Sequence, residues 1–221
     1  MKRTELASYI EGTLVKNAHT EEEIKKCAAL AKKYHLAAMV TNPCYTSFIA
    51  GELSGSGVLV GGVSSFPWGA STTKIKIAEA LQAIHDGAQE IDTVMNLNAF
   101  FSGNDQAVVD DIRNLKDAVG EIPLKIIIEA AQLGEERLIR HASELVVKGN
   151  ADYVKTCTGF NGGSTLDMVR IIKDTVGNDI LIKAAGGIRN AETAQQMIEL
   201  GAHRLGIGFE SAAAILDSMN E

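Results

Sequence analysis

The feature that most constrains this chain is an alternation. Short apolar, β-branched-rich runs stand at Ser8–Leu14, Leu36–Asn42, Val58–Ser64, Glu90–Asn96, Leu124–Ala130, Ala151–Thr156, Ile180–Ala184 and Arg204–Gly208. Between them lie stretches with helical periodicity: Glu21–Tyr34, Lys74–Asp86, Ala107–Val119, Glu135–Lys148, Leu166–Val176 and Ala191–Leu200. Thr20 followed by Glu23 reads as a capping box. Gly87, Gly120, Gly149, Gly177 and Gly201 stand where helices would close. Eight strand–helix units of roughly 25 to 30 residues fit a closed parallel barrel better than an open doubly wound sheet. No GxGxxG follows the first run. The expected architecture is therefore α/β, a TIM (β/α)8 barrel, with residues 1–221 as one domain.

Composition narrows the partners. The net charge of −7 argues against nucleic acid, and no basic block offsets it. An acidic protein with an anionic substrate must build a local basic or dipolar pocket. No apolar run approaches the length of a membrane span, and MKRTELASYIEGTL lacks the apolar stretch of a secretion signal. Cys27, Cys44 and Cys157 are odd in number and show no CxxC spacing, which fits a reducing cytoplasm without disulfides or zinc. Cys157 reads as a small core residue, with a reactive thiol as the alternative. The five histidines are scattered without ligand spacing, so no metal is expected.

Chemistry in such barrels sits at the C-terminal ends of strands. Lys155 and Lys183 lie at the ends of neighbouring runs, and a buried lysine is costly unless its charge or nucleophilicity is used. Two ammonium groups in one cleft repel, which favours a neutral amine able to form a Schiff base. Period-two alternation gives consistent inward sets. Lys155 goes with Ala151 and Tyr153, Lys183 with Leu181, Asp92 with Val94 and Asn96, and Lys125 with Ile127 and Glu129. Lys155 is then the candidate nucleophile, Lys183 a protonated neighbour, and Asp92 a proton carrier acting alone or through a water. Lys125 stands low in the barrel, where ion pairs serve stability; Glu129 stands near the rim, within reach of substrate or a lysine. Gly186, Gly187 and Arg189 after the seventh strand, with Gly206 and Gly208 after the eighth, occupy the loops that habitually bind phosphate. Thr158 and Gly159 would complete that cradle, Asn190 would cap the next helix, and Trp68 would wall one side.

VKTCTGF, IKAAGGIR, GAQEIDTVMN, SSFPWGAST and the TNP at Thr41–Pro43 together resemble the deoxyribose-phosphate aldolase family over nearly the whole chain. The resemblance implies a cofactor-free class I aldolase on a TIM barrel. Its imine would form on Lys155, with Lys183 and Asp92 as the proton relay. It would bind its substrate through Asn42, Thr158, Gly159, Gly186, Gly187, Arg189, Gly208 and Ser211. It implies cleavage of 2-deoxyribose 5-phosphate to acetaldehyde and glyceraldehyde 3-phosphate, no membrane or nucleic-acid partner, and a homodimer or higher homo-oligomer. Two departures stand out. The family's first-strand Asp-His-Thr reads Glu11, Gly12, Thr13, and its serine-rich loop after the eighth strand reads GIGFES, with Phe209 and Glu210 replacing small hydroxyl residues. These leave open a lysine-imine aldolase with another donor or sugar substrate. A non-catalytic sugar-phosphate-binding barrel and an acid–base isomerase barrel remain the other readings.

Overall fold

The computed structural model describes residues 1–219. Eight parallel strands close on themselves: β1 Ile10–Leu14, β2 Ala38–Thr41, β3 Leu59–Ser64, β4 Glu90–Val94, β5 Leu124–Ile127, β6 Tyr153–Lys155, β7 Leu181–Ala185 and β8 Arg204–Gly208. Each strand pairs with the next, and β8 returns to β1 with Thr13 opposite Gly208. Helices surround the barrel: α1 Arg3–Ala7, α2 Glu21–Tyr34, α3 Thr46–Leu53, α4 Thr73–His85, α5 Leu97–Phe101, α6 Asp105–Val119, α7 Ala130–Leu133, α8 Glu136–Lys148, α9 Leu166–Val176, α10 Ala191–Glu199 and α11 Phe209–Asp217. This is the expected TIM barrel. No helix among the described residues is long and apolar enough to cross a membrane.

The period-two split is visible in the packing. Outward strand residues such as Ile10, Met39, Ile91, Ile126, Val154, Ile182 and Leu205 join helix residues such as Ile24, Ala80, Ile112, Leu145 and Ile172 in one apolar shell. Six inward positions carry charge instead: Glu11, Glu90, Asp92, Lys125, Lys155 and Lys183 are all buried. Burial of apolar area in the outer shell is the favourable term that offsets the desolvation of those groups.

Helix ends follow local chemistry. Thr20 and Glu23 form the capping box, with Thr20 N donating to Glu23 Oε2 at 2.7 Å. Asn190 caps α10 by accepting from Thr193 N at 2.8 Å. Several strands stop short of their apolar runs. β4 ends at Val94 because Asn96 turns to cap α5, accepting from Ala99 N at 3.1 Å. β5 ends at Ile127 because Glu129 adopts a left-handed backbone (φ 54°) that starts α7. Neither Asn96 nor Glu129 is therefore an inward strand residue. Helices α3, α5, α7 and α11 fall in stretches to which the sequence reading assigned no helix.

Candidate active site

Lys155 closes β6 and stands in register with Lys183 on β7. Both donate to one atom: Lys155 Nζ lies 2.6 Å and Lys183 Nζ 2.7 Å from Oδ2 of Asp92 on β4. The sequence thus brings two ammonium-forming groups onto a single carboxylate oxygen in a closed interior. Burial pushes Lys155 below the usual lysine value; the Lys183 charge adds to that against the pull of Asp92. Burial alone would raise Asp92, but Lys155, Lys183 and Lys125 outweigh it and hold the carboxyl well below its usual range. An amine loosened in this way, beside a fixed carboxylate, is suited to attack a carbonyl carbon.

Beneath this group the network continues. Glu11 on β1 accepts from Lys183, and its other oxygen accepts from Lys125 Nζ at 2.6 Å. Lys125 also lies 2.6 Å from Glu90 and 3.9 Å from Asp92. Burial opposes ionisation of Glu11, yet Lys125 and Lys183 bring its carboxyl below the usual value. Burial would lower Lys125, but Glu11, Glu90 and Asp92 raise it above the ordinary lysine range. Glu11 therefore joins the two lysine layers. A glutamate at this position has the reach to touch both.

The β6–α9 loop is pinned from below. Glu129, fully buried, accepts from Thr158 N at 2.9 Å, from Thr158 Oγ1 at 2.6 Å and from Asn161 Nδ2 at 3.4 Å. Gly186 (φ 89°) and Gly187 (φ 75°) adopt a conformation that favours glycine. A Cβ on Gly186 would stand 3.1 Å from the Gly159 Cα, so the loops after β6 and β7 meet backbone to backbone. Ser164 N donates to Gly186 O at 2.9 Å, while its hydroxyl is buried without a hydrogen-bond partner among the described residues. Arg189 and Gly208 are exposed, and Ser211 sits in the first turn of α11. Asn42 donates its side-chain amide to Lys16 O at 2.7 Å, bracing the loop after β1.

Phe209 does not crowd this cradle. It is buried against the outer face of β1, where a Cβ on Gly12 would lie 2.5 Å from its ring. Glycine at 12 and phenylalanine at 209 are one packing solution, so the two departures noted in the sequence are coupled. Glu210 remains exposed in the first turn of α11.

A model of the DeoC/LacD family aldolases matches residues 10–215. The chain belongs to the DeoC/LacD aldolase family. It is 40% identical to a deoxyribose-phosphate aldolase of Mycoplasmopsis pulmonis, over 97% of this chain and 96% of that protein. It is 42% identical to one of Clostridium novyi, over 96% and 95% respectively. Among solved structures, the aldolase QR15 superposes with TM-score 0.91 at 35% identity, covering 96% of this chain and 95% of that one. A tetrameric deoxyribose phosphate aldolase from Aeropyrum pernix superposes with TM-score 0.87 at 29% identity, covering 98% and 92%.

In this DeoC/LacD aldolase, the lysines and the aspartate named from sequence meet at one point. Sequence reasoning missed the part of Glu11, which it saw only as a departure, and that of Glu90, which shares the parity of Asp92 and begins the same strand. It also missed Phe66. The Lys155 ammonium lies 5.7 Å from the Phe66 ring centroid, and Phe160 packs edge-on to that ring at 5.7 Å. Trp68 is 66% exposed, so Phe66 is the aromatic beside the amine. Cys157 is buried, and burial pushes its thiol up to about 11, which fits a core residue.

Proposed function

We propose that this aldolase reversibly cleaves 2-deoxyribose 5-phosphate to acetaldehyde and glyceraldehyde 3-phosphate through an imine on Lys155. The observation that carries the reading is the shared Asp92 oxygen, which binds both Lys155 and Lys183 in a buried site. In the synthetic direction, neutral Lys155 attacks acetaldehyde, one proton is taken up and water leaves, giving an iminium. Asp92, directly or through a water, takes a proton from the carbon next to it, giving the enamine, and Lys183 supplies the neighbouring positive charge. The enamine then attacks the acceptor aldehyde, whose oxygen takes back the proton held by Asp92 as the new carbon–carbon bond forms. Hydrolysis of the resulting iminium frees Lys155.

The acceptor phosphate is assigned to the apposed glycines 159, 186 and 187, with Arg189, the N-terminus of α11 at Gly208, and Ser211. Backbone N–H groups at such loops and helix starts favour anions. The unpartnered hydroxyl of Ser164 lies in the same loop pair and supports a polar ligand there. Thr158 orders the loop through Glu129 in this reading, and Asn42 braces the rim. Glu210 in the first turn of α11 would repel a dianion and motivates a second reading with a different sugar substrate. The names of the relatives support the first reading, and the tetrameric relative from Aeropyrum pernix supports a homo-oligomer as its assembly.

The test is intact-protein mass after borohydride reduction with acetaldehyde, dihydroxyacetone or 2-deoxyribose 5-phosphate. The expected result is a single adduct on Lys155 with acetaldehyde and with the sugar phosphate. Absence of any adduct would overturn the imine reading, and labelling by dihydroxyacetone alone would change the donor.

A further inference from the structure

The sealed interior holds three lysines and three carboxylates: Lys125, Lys155 and Lys183 against Glu11, Glu90 and Asp92. With all six ionised the charges cancel. The proposed reaction, on which this inference rests, requires Lys155 to be a neutral amine at the start and again at the enamine. At the enamine the proton taken by Asp92 keeps the balance, but the starting state leaves one uncompensated negative charge where water is excluded, and such a charge is costly. A proton on one carboxylate removes it.

The geometry selects which carboxylate. Asp92 receives Lys155 and Lys183 and has Lys125 at 3.9 Å. Glu11 receives Lys125 and Lys183, with Arg204 Nε at 3.8 Å. Among the described residues, Glu90 has Lys125 alone within ion-pair distance. That contact, 2.6 Å to Oε1, is off the line a hydrogen bond needs, and this oxygen is buried without a hydrogen-bond partner among the described residues. On β3 its neighbour is Gly61, whose absent side chain would lie 3.5 Å from Oε1 and adds no charge. Its remaining titratable neighbours are Glu11 on β1, Tyr153 on β6 and Lys183 on β7.

We propose that Glu90 is a positioning residue that stores the proton Lys155 gives up. The exchange balances: Lys155-NH3+ and Glu90-COO− become Lys155-NH2 and Glu90-COOH. On reaction with an aldehyde, the amine, the carbonyl and the stored proton give the protonated iminium, water and Glu90-COO−. The C–N bond forms, the carbonyl oxygen leaves as water, and the interior stays neutral throughout. Burial, then the Glu11 charge, pushes the Glu90 carboxyl up to about 7, which suits a group that must hold and release a proton near neutrality.

The test compares wild type with Glu90→Gln, an isostere of the proton-loaded state, in the rate of acetaldehyde adduct trapping across pH. Gln removes the charge that favours the Lys155 ammonium, so the acid limb should move to lower pH by on the order of one unit. A limb that stays in place while the wild type forms its adduct would overturn the store and leave the imine reading intact. No adduct in the wild type at any pH would instead overturn the imine reading. Difference infrared spectra of the wild type on adding acetaldehyde give an independent measurement if the variant folds poorly. Loss of a protonated-carboxyl band is expected, and a spectrum without that loss would overturn the proposal.

Discussion

Lys76 and Lys155 are both buried lysines paired with an aspartate, and burial pushes both below the usual lysine value. Their surroundings differ. Lys76, on α4 outside the barrel, donates to Asp111 Oδ2 at 2.7 Å and to the Val94 carbonyl at 2.8 Å. The other Asp111 oxygen accepts from Thr73 at 2.7 Å. Each partner is used once, and the pair ties α4 to α6 and to the end of β4. Among the described residues Lys155 has one acceptor and must share it with Lys183, at the end of a barrel strand and beside an aromatic ring. A depressed pKa therefore does not by itself mark a nucleophile. Competition of two cations for one oxygen, at the C-terminal end of a barrel strand, is the distinguishing arrangement.

The largest expected difference is in covalent chemistry. Lys155→Leu should lose the borohydride-trapped adduct and lower aldol cleavage by about 10³-fold or more, since no second amine occupies its place. Lys76→Met should still form the adduct. Mass spectrometry of both variants with acetaldehyde checks this, and an adduct retained by Lys155→Leu would break the comparison at its centre.

Asp92→Asn should lower turnover by about 10²- to 10⁴-fold, because the carbon-bound proton loses its acceptor. Asp111→Asn should shift the melting temperature and leave the pH profile where it was. The wild-type profile has a definite sign. In the proposed mechanism Lys155 reacts as the free amine, so trapping should fall as pH drops through its lowered pKa, by about tenfold per unit once most of the lysine is charged. A Lys76 variant that displaced this limb would show that the two lysines are electrostatically coupled after all.

In stability the ranking reverses. Lys76→Met leaves Asp111 buried without its cation and should cost about 3–5 kcal/mol in urea unfolding. Lys155→Met should cost less, since Asp92 keeps Lys183 and has Lys125 within 3.9 Å. Equal losses at the two sites would mean that the Lys155 charge supports the fold as strongly as the Lys76 charge.

The two lysines also differ in how far the sequence revealed them. Lys155 was legible because strand parity and position along the barrel are local properties, and the same holds for Lys183 and Asp92. The eight strands were legible for the same reason, though their ends were not: Asn96 and Glu129 leave the strands through capping and a left-handed turn. Lys76 was read only as part of a helix, since its burial depends on where α6 places Asp111, 35 residues away. Glu11 meets Lys183 across 172 residues, and no local pattern carries that distance. Gly12 and Phe209 looked like two losses of family chemistry until their contact showed a single exchange of volume.

The smallest expected effect tests whether the Lys76 pair is the closed unit described here. Thr73 is partly buried, and its hydroxyl donates to the Asp111 oxygen that Lys76 does not use. Thr73→Val keeps the shape and removes one charge-assisted bond, which should cost about 1 kcal/mol, with turnover unchanged. If both donors act by holding the same carboxylate, Thr73→Val and Lys76→Met should be non-additive by about 0.5 kcal/mol or more in a double-mutant cycle. The same cycle with Lys155→Met should be additive, because among the described residues no side-chain hydrogen bond joins Thr73 to the barrel interior. Coupling across that second cycle would mean that the helix pair and the catalytic network respond as one body, and the distinction between a structural and a reactive lysine would then rest on access alone.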